Sequence, residues 1–89
     1  MPTMENDSKF WRLVAKYRRS KRGEMLLSLN ETARNSSDIA DRIDVSTNTS
    51  GNYLREAKQD GIVECVTPES DRYRMYSLTD LGQDIAREL

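Results

Sequence analysis

The chain contains no histidine and only one cysteine, and these shortages exclude several classes of site. Without histidine it lacks the commonest general base and metal ligand. A single cysteine permits neither an intramolecular disulfide nor a cysteine cluster for zinc. We therefore expect no catalytic residue, no bound metal and no cofactor.

Long apolar runs are also missing from the sequence. No stretch approaches the ~20 apolar residues that a membrane-spanning helix requires. Residues 1–7 lack the basic and then apolar build of a signal peptide. These features predict a cytoplasmic protein that makes no contact with a membrane.

Glycine and proline are scarce, at four and two positions, while 36% of the residues are hydrophobic and 33% are charged. This composition is typical of a globular, helix-rich chain rather than a disordered or fibrous one. The 89 residues suffice for one small domain with a modest core. We assign that domain to residues 8–89 and predict a disordered N-terminus over residues 1–7.

Positive charge is concentrated in one segment of a chain whose net charge is −1. Residues 9–22 contain seven basic residues and no acidic one. A local field of this kind steers ligands more than the total charge does. The segment either forms a solvated helix face or contacts a partner. Arginine outnumbers lysine ten to four, a tilt that also occurs in proteins of salt-loving archaea.

Apolar spacing predicts two helices in the first third of the chain. The first has an apolar stripe with the spacing i, i+3, i+4 and i+7, formed by Phe10, Leu13, Val14 and Tyr17. Asn6 or Asp7 is expected to cap its start. Ser20 caps the second helix, whose buried side carries Met25, Leu26 and Leu29. The polar segment Asn30 to Asn35 is predicted to be a connector with little structure.

Two further helices are predicted before residue 61. The polar residues 35–38 form a capping signal for a short helix over residues 36–43. Ser46 then caps a helix that reaches about Asp60, with Leu54 and Ala57 on its inner side. Gly61 is expected to end this helix in the left-handed conformation that glycine adopts at little cost.

After Gly61 the apolar residues no longer follow the helical period of about 3.6 residues and alternate with a period of two. This change predicts strands over residues 62–66 and 73–78. The turn-rich residues 67–72 join these strands into a hairpin. Thr79 caps a last helix with Leu81, Ile85 and Leu89 on one face. The predicted architecture is α+β and mostly α, with four helices, a β-hairpin and a C-terminal helix.

The two short helices at 36–60 are typical of a helix-turn-helix, in which the first helix braces the second in the DNA major groove. Short polar groups and a glycine lie on the predicted outer face near the start of the second helix, at Thr47, Asn48, Gly51 and Asn52. Asparagine can pair with adenine, and glycine permits close approach to the groove wall. These four residues are the candidates for reading bases. Tyr53 is expected to cover the edge of the core or to point at a phosphate.

The hairpin beside this unit is predicted to be a wing, with its tip over residues 67–74. Arginines at the return of the hairpin can reach phosphates or a narrow minor groove. The candidates for backbone contacts are Ser46, Arg55, Lys58, Arg72 and Arg74. The alternative is a solvated turn with ion pairs inside the hairpin.

These residues resemble a known family of proteins. The segments 45–57 (VSTNTSGNYLREA), 60–63 (DGIV) and 76–82 (YSLTDLG) are similar to the recognition helix, wing and last helix of ArsR/MarR-like winged helix-turn-helix transcriptional regulators. The wing and last helix look like those of small archaeal regulators of this type. The resemblance covers about residues 8–89.

The resemblance implies binding to double-stranded DNA, often as a homodimer, with the helix at about 46–60 in the major groove. The function we expect is that of a sequence-specific DNA-binding transcriptional regulator. The paired cysteine and histidine ligands of metal-sensing ArsR proteins are absent, so metal sensing is not implied. The basic segment supplies candidates for contacts with DNA flanks, namely Arg18, Arg19, Lys21 and Arg22. The candidate dimer surfaces lie on the first and last helices, at Phe10, Trp11, Val14, Leu81, Ile85 and Leu89.

Two other functions are compatible with the sequence. The acidic balance outside residues 9–22 favours a winged-helix module that binds a protein of the transcription or replication machinery. A chromatin-type protein that binds DNA without sequence preference would show tight binding and a steep dependence on salt. An enzyme is not expected, since histidine and a phosphate-binding loop are both missing.

Overall fold

Helices and one antiparallel hairpin follow in the predicted order. The computed structural model describes residues 4–67 and 74–89, with side chains from residue 8 onward. The described elements are α1 Met4–Tyr17, α2 Lys21–Glu31, α3 Ser36–Ile43, α4 Thr47–Gln59, β1 Val63–Cys65, β2 Tyr76–Leu78 and α5 Asp80–Ala86. The predicted architecture, mostly helical with a β-hairpin and a C-terminal helix, is confirmed.

Side-chain caps start four of these helices where the sequence predicts them. The hydroxyls of Ser20, Ser46 and Thr79 each accept a hydrogen bond from the backbone N–H three residues further on. The side-chain oxygen of Asn35 accepts one from Asp38 N–H at 2.8 Å. Such bonds satisfy N–H groups that the first turn of a helix leaves unpaired, and they explain why short polar residues precede each apolar stripe.

The start of α1 differs from the sequence prediction. The helix begins at Met4, ahead of the predicted cap at Asn6 or Asp7, so helical backbone extends into the segment predicted to be disordered. Residues 1–3 lie outside the described residues. The domain boundary at residue 8 stays a prediction.

The connector after α2 has more structure than predicted. Helix α2 continues to Glu31, and Arg34 then forms a bridge with Tyr76 in β2. Arg34 N–H donates to the Tyr76 carbonyl at 3.0 Å, and Tyr76 N–H donates to the Arg34 carbonyl at 2.8 Å. The prediction of little structure here is wrong, because a single bridge leaves no period in the sequence.

The hairpin is described only at its base. Its register pairs Val63 with Leu78, Glu64 with Ser77 and Cys65 with Tyr76. Beyond these three pairs, Val66 N–H donates to the Met75 carbonyl at 2.8 Å. The strands are shorter than the predicted 62–66 and 73–78. Residues 68–73, which include Arg72 and most of the predicted wing tip 67–74, lie outside the described residues.

One apolar core holds these elements together. Its buried members include every predicted stripe residue except Phe10, Leu81 and Leu89, which are partly buried against it. Gly23 and Gly82 let α2 and α5 pack directly on backbone, since a Cβ there would overlap the carbonyls of Tyr17 and Ile62. Among residues 4–67 and 74–89, none of the helices has the length and hydropathy of a membrane-spanning segment.

Candidate nucleic-acid interface

A short turn sets α4 against α3. Asp44 ends α3 in the left-handed conformation (φ 59°), and Val45 N–H donates to the Ala40 carbonyl at 3.0 Å. Gly61, after the other end of α4, has φ 78°, as predicted for the residue that ends this helix.

The inner face of α4 is fixed by two serines as well as by apolar contacts. Leu54 and Ala57 are buried in the core, as predicted. Ser50 is fully buried, and its hydroxyl donates to the Ser36 carbonyl in α3 at 2.9 Å. Ser36 in turn donates to the Thr47 carbonyl at 3.3 Å. The small residue at position 50 therefore serves the α3–α4 crossing.

The outer face of α4 is polar and faces solvent. Its exposed residues are Thr47, Asn48, Asn52, Arg55 and Lys58, and Gly51 is half-buried between them. Within the described part of the chain, the side chains of Asn48, Asn52, Arg55 and Lys58 make no hydrogen bond or ion pair. Every candidate that the sequence places on this face is thus on one accessible side of the helix.

The remaining candidates for contacts with the DNA backbone are Ser46, Arg72 and Arg74, and they lie in different settings. Ser46 accepts from Thr49 N–H at 3.0 Å and donates to the Thr49 hydroxyl at 2.9 Å, so its hydroxyl is engaged in capping α4. Arg74 is exposed at the base of the hairpin. Arg72 lies outside the described residues.

Two of the seven cations in the basic segment pair with carboxylates at the C-terminal end of α4. Lys16 lies 2.7 Å from Asp60 and 3.0 Å from Glu56, and Arg22 lies 2.6 Å from Glu56. The hydrogen bonds from Arg22 and Lys16 lower the pKa of Glu56. From the sequence, the basic segment is expected to be a solvated helix face or to contact a partner. Ion pairs within the chain are a third arrangement, which the sequence does not predict. Pairs that lie 34 to 44 residues apart have no local signal.

Two tyrosines complete this cluster. The Tyr17 hydroxyl donates to Asp60 at 2.7 Å, and burial together with this carboxylate raises the pKa of Tyr17. Tyr53 packs against the core, with the Arg22 guanidinium 4.7 Å from its ring centroid. The prediction that Tyr53 covers the core edge is confirmed.

The four flank candidates lie near the α1–α2 corner. Lys21 donates to the Ile43 carbonyl at 2.5 Å, Arg18 donates to the Glu88 carbonyl at 3.3 Å, and Arg22 is engaged with Glu56 as above. Arg19 is exposed, with a φ of 53°. Contacts of these residues with DNA stay a prediction, and three of the four already have partners in the chain.

The candidate dimer residues divide into two groups. Val14 and Ile85 are 1% and 0% exposed in the core of a single chain, so their assignment to an intermolecular surface is wrong. The period that marks an apolar helix face does not distinguish a core from an interface. Trp11 is 51% exposed, and Phe10, Leu81 and Leu89 retain partial exposure.

Sequence reasoning missed one buried charged residue. Arg34 is 7% exposed and forms ion pairs with Glu31 and Asp38, each at 2.8 Å. Arg34 lies in a polar segment that is typical of a loop, so the sequence gives no sign that it is buried. A buried arginine requires partners for its charge, and Glu31 and Asp38 provide them. Among the described residues, no group of three or more Cys, Asp or Glu could hold a metal ion.

Solved structures share this fold. The MepR–DNA complex from S. aureus matches 93% of this chain and 71% of that chain, with a TM-score of 0.72 and 18% identity. Lactococcus lactis ZitR in complex with DNA matches 76% of this chain and 47% of the ZitR chain, with a TM-score of 0.70 and 19% identity. The zinc-dependent MarR family transcriptional regulator AdcR, in its Zn(II)-bound state, matches 76% of this chain and 47% of the AdcR chain. The TM-score is 0.64 and the identity 28%.

These likenesses are structural ones. No family sequence model and no curated protein sequence matches the chain, which spans about half the length of the ZitR chains it matches. The zinc-bound state of AdcR shows that a protein of this fold can carry a metal, so the absence of metal predicted here stays a prediction. An archaeal origin also stays a prediction. The expected resemblance to MarR-like regulators is confirmed at the level of the winged-helix fold, which the chain shares with MepR, ZitR and AdcR.

Proposed function

We propose that the chain is a sequence-specific DNA-binding module of a transcriptional regulator, without enzymatic activity, that acts as a cytoplasmic homodimer on double-stranded DNA. One observation carries the proposal. Helix α4 presents a continuous outer face of exposed polar and basic side chains without partners among the described residues, while its inner face is locked to α3. The DNA complexes of MepR and ZitR support the same use of this fold.

The N-terminal half of α4 would read bases in the major groove. Asn48 and Asn52 can each pair bidentately with adenine, and Thr47 can contact several base edges. Gly51 lies between them with no side chain, so the helix backbone can approach the groove wall. In helix-turn-helix proteins the N-terminal residues of the recognition helix contact base edges, which supports assigning base reading to these groups.

The cations beyond them would hold the DNA backbone. Arg55 and Lys58 are exposed on the same face of α4, and contacts with phosphates fix register without reading sequence. Arg74 at the base of the hairpin and Arg72, which lies outside the described residues, would supply the wing contacts.

The homodimer would use what remains exposed on α1 and at the C-terminal end of the chain. Trp11 is 51% exposed and stacks edge-on with Phe10, whose ring centroid is 5.1 Å away. Leu81 and Leu89 are partly exposed. A dimer about a twofold axis would set two copies of α4 roughly 34 Å apart, one turn of DNA.

Selection from genomic DNA tests this function. The purified chain is incubated with sheared genomic DNA over a series of KCl concentrations, and the retained fragments are sequenced. An enriched inverted repeat with half-sites about one turn apart would support the dimeric regulator. The matched variants are Arg55→Ala, on the proposed face, and Arg87→Ala, which removes the same charge after α5. Equal retention by both variants would contradict the use of α4.

A second function is favoured by the exposed apolar residues. Trp11, Leu27 and Val66 are 51%, 45% and 45% exposed, and exposed aromatic and apolar groups can mark protein-binding surfaces. A winged-helix module that binds a protein would retain no DNA at any salt concentration. Retained DNA with no enriched motif would instead indicate a chromatin-type protein without sequence preference.

A further inference from the structure

The side chain of Arg34 joins the end of one helix to the start of the next. Its Nε donates to the Ser28 carbonyl at 2.9 Å, its Nη1 to Asp38 at 2.8 Å and its Nη2 to Glu31 at 2.8 Å. The residue is 7% exposed. A buried guanidinium with three separate acceptors is held in one orientation.

These acceptors are chemically suited to a cation. The Ser28 carbonyl belongs to the last turn of α2, where carbonyls have no helical partner, and this turn contains no basic residue of its own. Asp38 lies in the first turn of α3. Arg34 therefore neutralises one helix end and anchors the acid at the other. Lysine lacks the planar fork that serves several acceptors at fixed angles.

The backbone of Arg34 is bound to the hairpin as well. Its N–H and carbonyl both pair with Tyr76, which pairs on its other side with Cys65. Arg74, at the described base of the wing, lies only two residues before Tyr76. The side chain thus fixes the α2–α3 corner, and the main chain of the same residue fixes the wing to that corner.

The corner is linked in turn to the recognition helix. Asp38, one of the two carboxylate partners of Arg34, lies two residues after Ser36. The Ser36 carbonyl accepts from the Ser50 hydroxyl, and the Ser36 hydroxyl donates to the Thr47 carbonyl of α4. Hydrogen bonds and the first turn of α3 therefore connect the base of the wing, through Arg34, to α4. Arg34 itself is buried.

We propose that Arg34 is a positioning residue that sets the wing relative to α4, so that both can engage the same stretch of DNA. This inference rests on the proposed DNA-binding function. It predicts that wing contacts are lost without Arg34 even though the wing residues are intact, while base reading by α4 persists.

The first test is a double-mutant cycle in DNA binding. The variants are Arg34→Met, Arg74→Ala and the pair, titrated by fluorescence anisotropy against the most enriched genomic fragment. We expect Arg34→Met to weaken binding about tenfold, or 1.4 kcal/mol, and to lower the salt slope by about one. Arg74→Ala should then add less than about twofold in the Arg34→Met background, since additivity is expected only of independent sites. An equal effect of Arg74→Ala in both backgrounds would overturn the proposal.

Arg42→Met is the matched control. Arg42 also lies 3.5 Å from Asp38, but it is exposed and on the surface of α3. The variant removes the same charge near the same carboxylate. We expect a change of less than about twofold in affinity, because an exposed ion pair contributes little. A loss as large as that of Arg34→Met would assign the effect to charge and overturn the positioning role.

The second test does not require DNA. Amide hydrogen exchange is measured at Arg34 and Tyr76 and compared with Leu54 in α4. In Arg34→Met we expect the amides of residues 34 and 76 to exchange at least about tenfold faster, because this region opens locally. The exchange rate of the Leu54 amide should not change. If Arg34→Met fails to fold, Arg34→Lys carries both tests with the same expected directions. Unchanged protection of Tyr76 would overturn the proposal, whereas absence of DNA binding by the wild-type chain would overturn only the proposed function.

Discussion

Replacing Gly51 with alanine separates the stability of α4 from its proposed contact with DNA. Gly51 lies within the helix, and a Cβ built there would meet only the Ser36 hydroxyl oxygen, at 3.9 Å. That distance is ordinary van der Waals contact. The described residues therefore give no packing reason for a glycine at this position.

The expected effect on stability follows from helix propensity. Glycine inside a helix costs about 1 kcal/mol relative to alanine, so Gly51→Ala should stabilise the fold by up to that amount. For a domain of this size, such a gain raises Tm by about 4–8 °C. The left-handed region is not involved, because Gly51 has ordinary helical backbone.

The expected effect on DNA binding has the opposite sign. If the backbone at Gly51 lies against the groove wall, an added methyl group overpacks that contact. Overpacking in protein cores costs about 1–3 kcal/mol, which corresponds to about 5- to 150-fold in affinity. The same variant should thus be more stable and bind the selected DNA more weakly.

Thermal unfolding by circular dichroism and anisotropy titration on one preparation test both effects. Gly23→Ala is the contrasting control, since a Cβ there would overlap the Tyr17 carbonyl and should lower Tm. A lower Tm for Gly51→Ala would contradict the conclusion that a methyl group fits beside Ser36 without a clash. A higher Tm with unchanged affinity would refute close approach of this face to DNA.

Three further predictions concern α4. Asn52→Ala should cost about 1–3 kcal/mol at a selected site and relax the base preference there; an equal loss on all sequences, measured with a panel of mutated sites, would exclude base reading. Ser46→Ala removes the N-cap bond to Thr49 N–H and should lower the free energy of unfolding by about 1 kcal/mol in urea titrations, whereas an unchanged midpoint would mean that solvent replaces the cap. The Arg22 and Lys16 hydrogen bonds lower the pKa of Glu56 below its ordinary 4.5, so the group stabilises the fold above that pH and this contribution is lost as the pH falls through the lowered pKa. Between about pH 6 and pH 3, Glu56→Gln should therefore lose less stability than the wild-type chain does, and equal losses would contradict the pairing.

Local signals in the sequence were sufficient for most of the fold. Capping by Ser20, Asn35, Ser46 and Thr79 depends on atoms within three residues, so the chain order alone reveals it. The polar outer face of α4 is equally local, because helical spacing places residues three or four apart side by side. The likeness to winged-helix regulators followed from such short segments.

Contacts between distant segments could not be predicted in this way. The bridge between Arg34 and Tyr76 joins residues in a loop and a strand with no shared period. The pairing of Lys16 with Glu56 depends on how α1 and α4 pack. Val14 shows the same limit, since an apolar position on a helix face does not state whether the covering surface belongs to the same chain or to another.

The pairing of the basic segment with α4 bears on how this chain could bind a polyanion with a net charge of −1. Lys16 and Arg22 act as internal counterions for Glu56 and Asp60, so the far end of α4 adds little repulsion toward phosphates. If α4 binds DNA as proposed, replacing Lys16 with alanine would remove the ion-pair partner of Asp60, and affinity would fall even where Lys16 itself touches no phosphate. A scan of residues 9–22 would then record losses that belong to the charge of α4 and not to contacts of the segment itself.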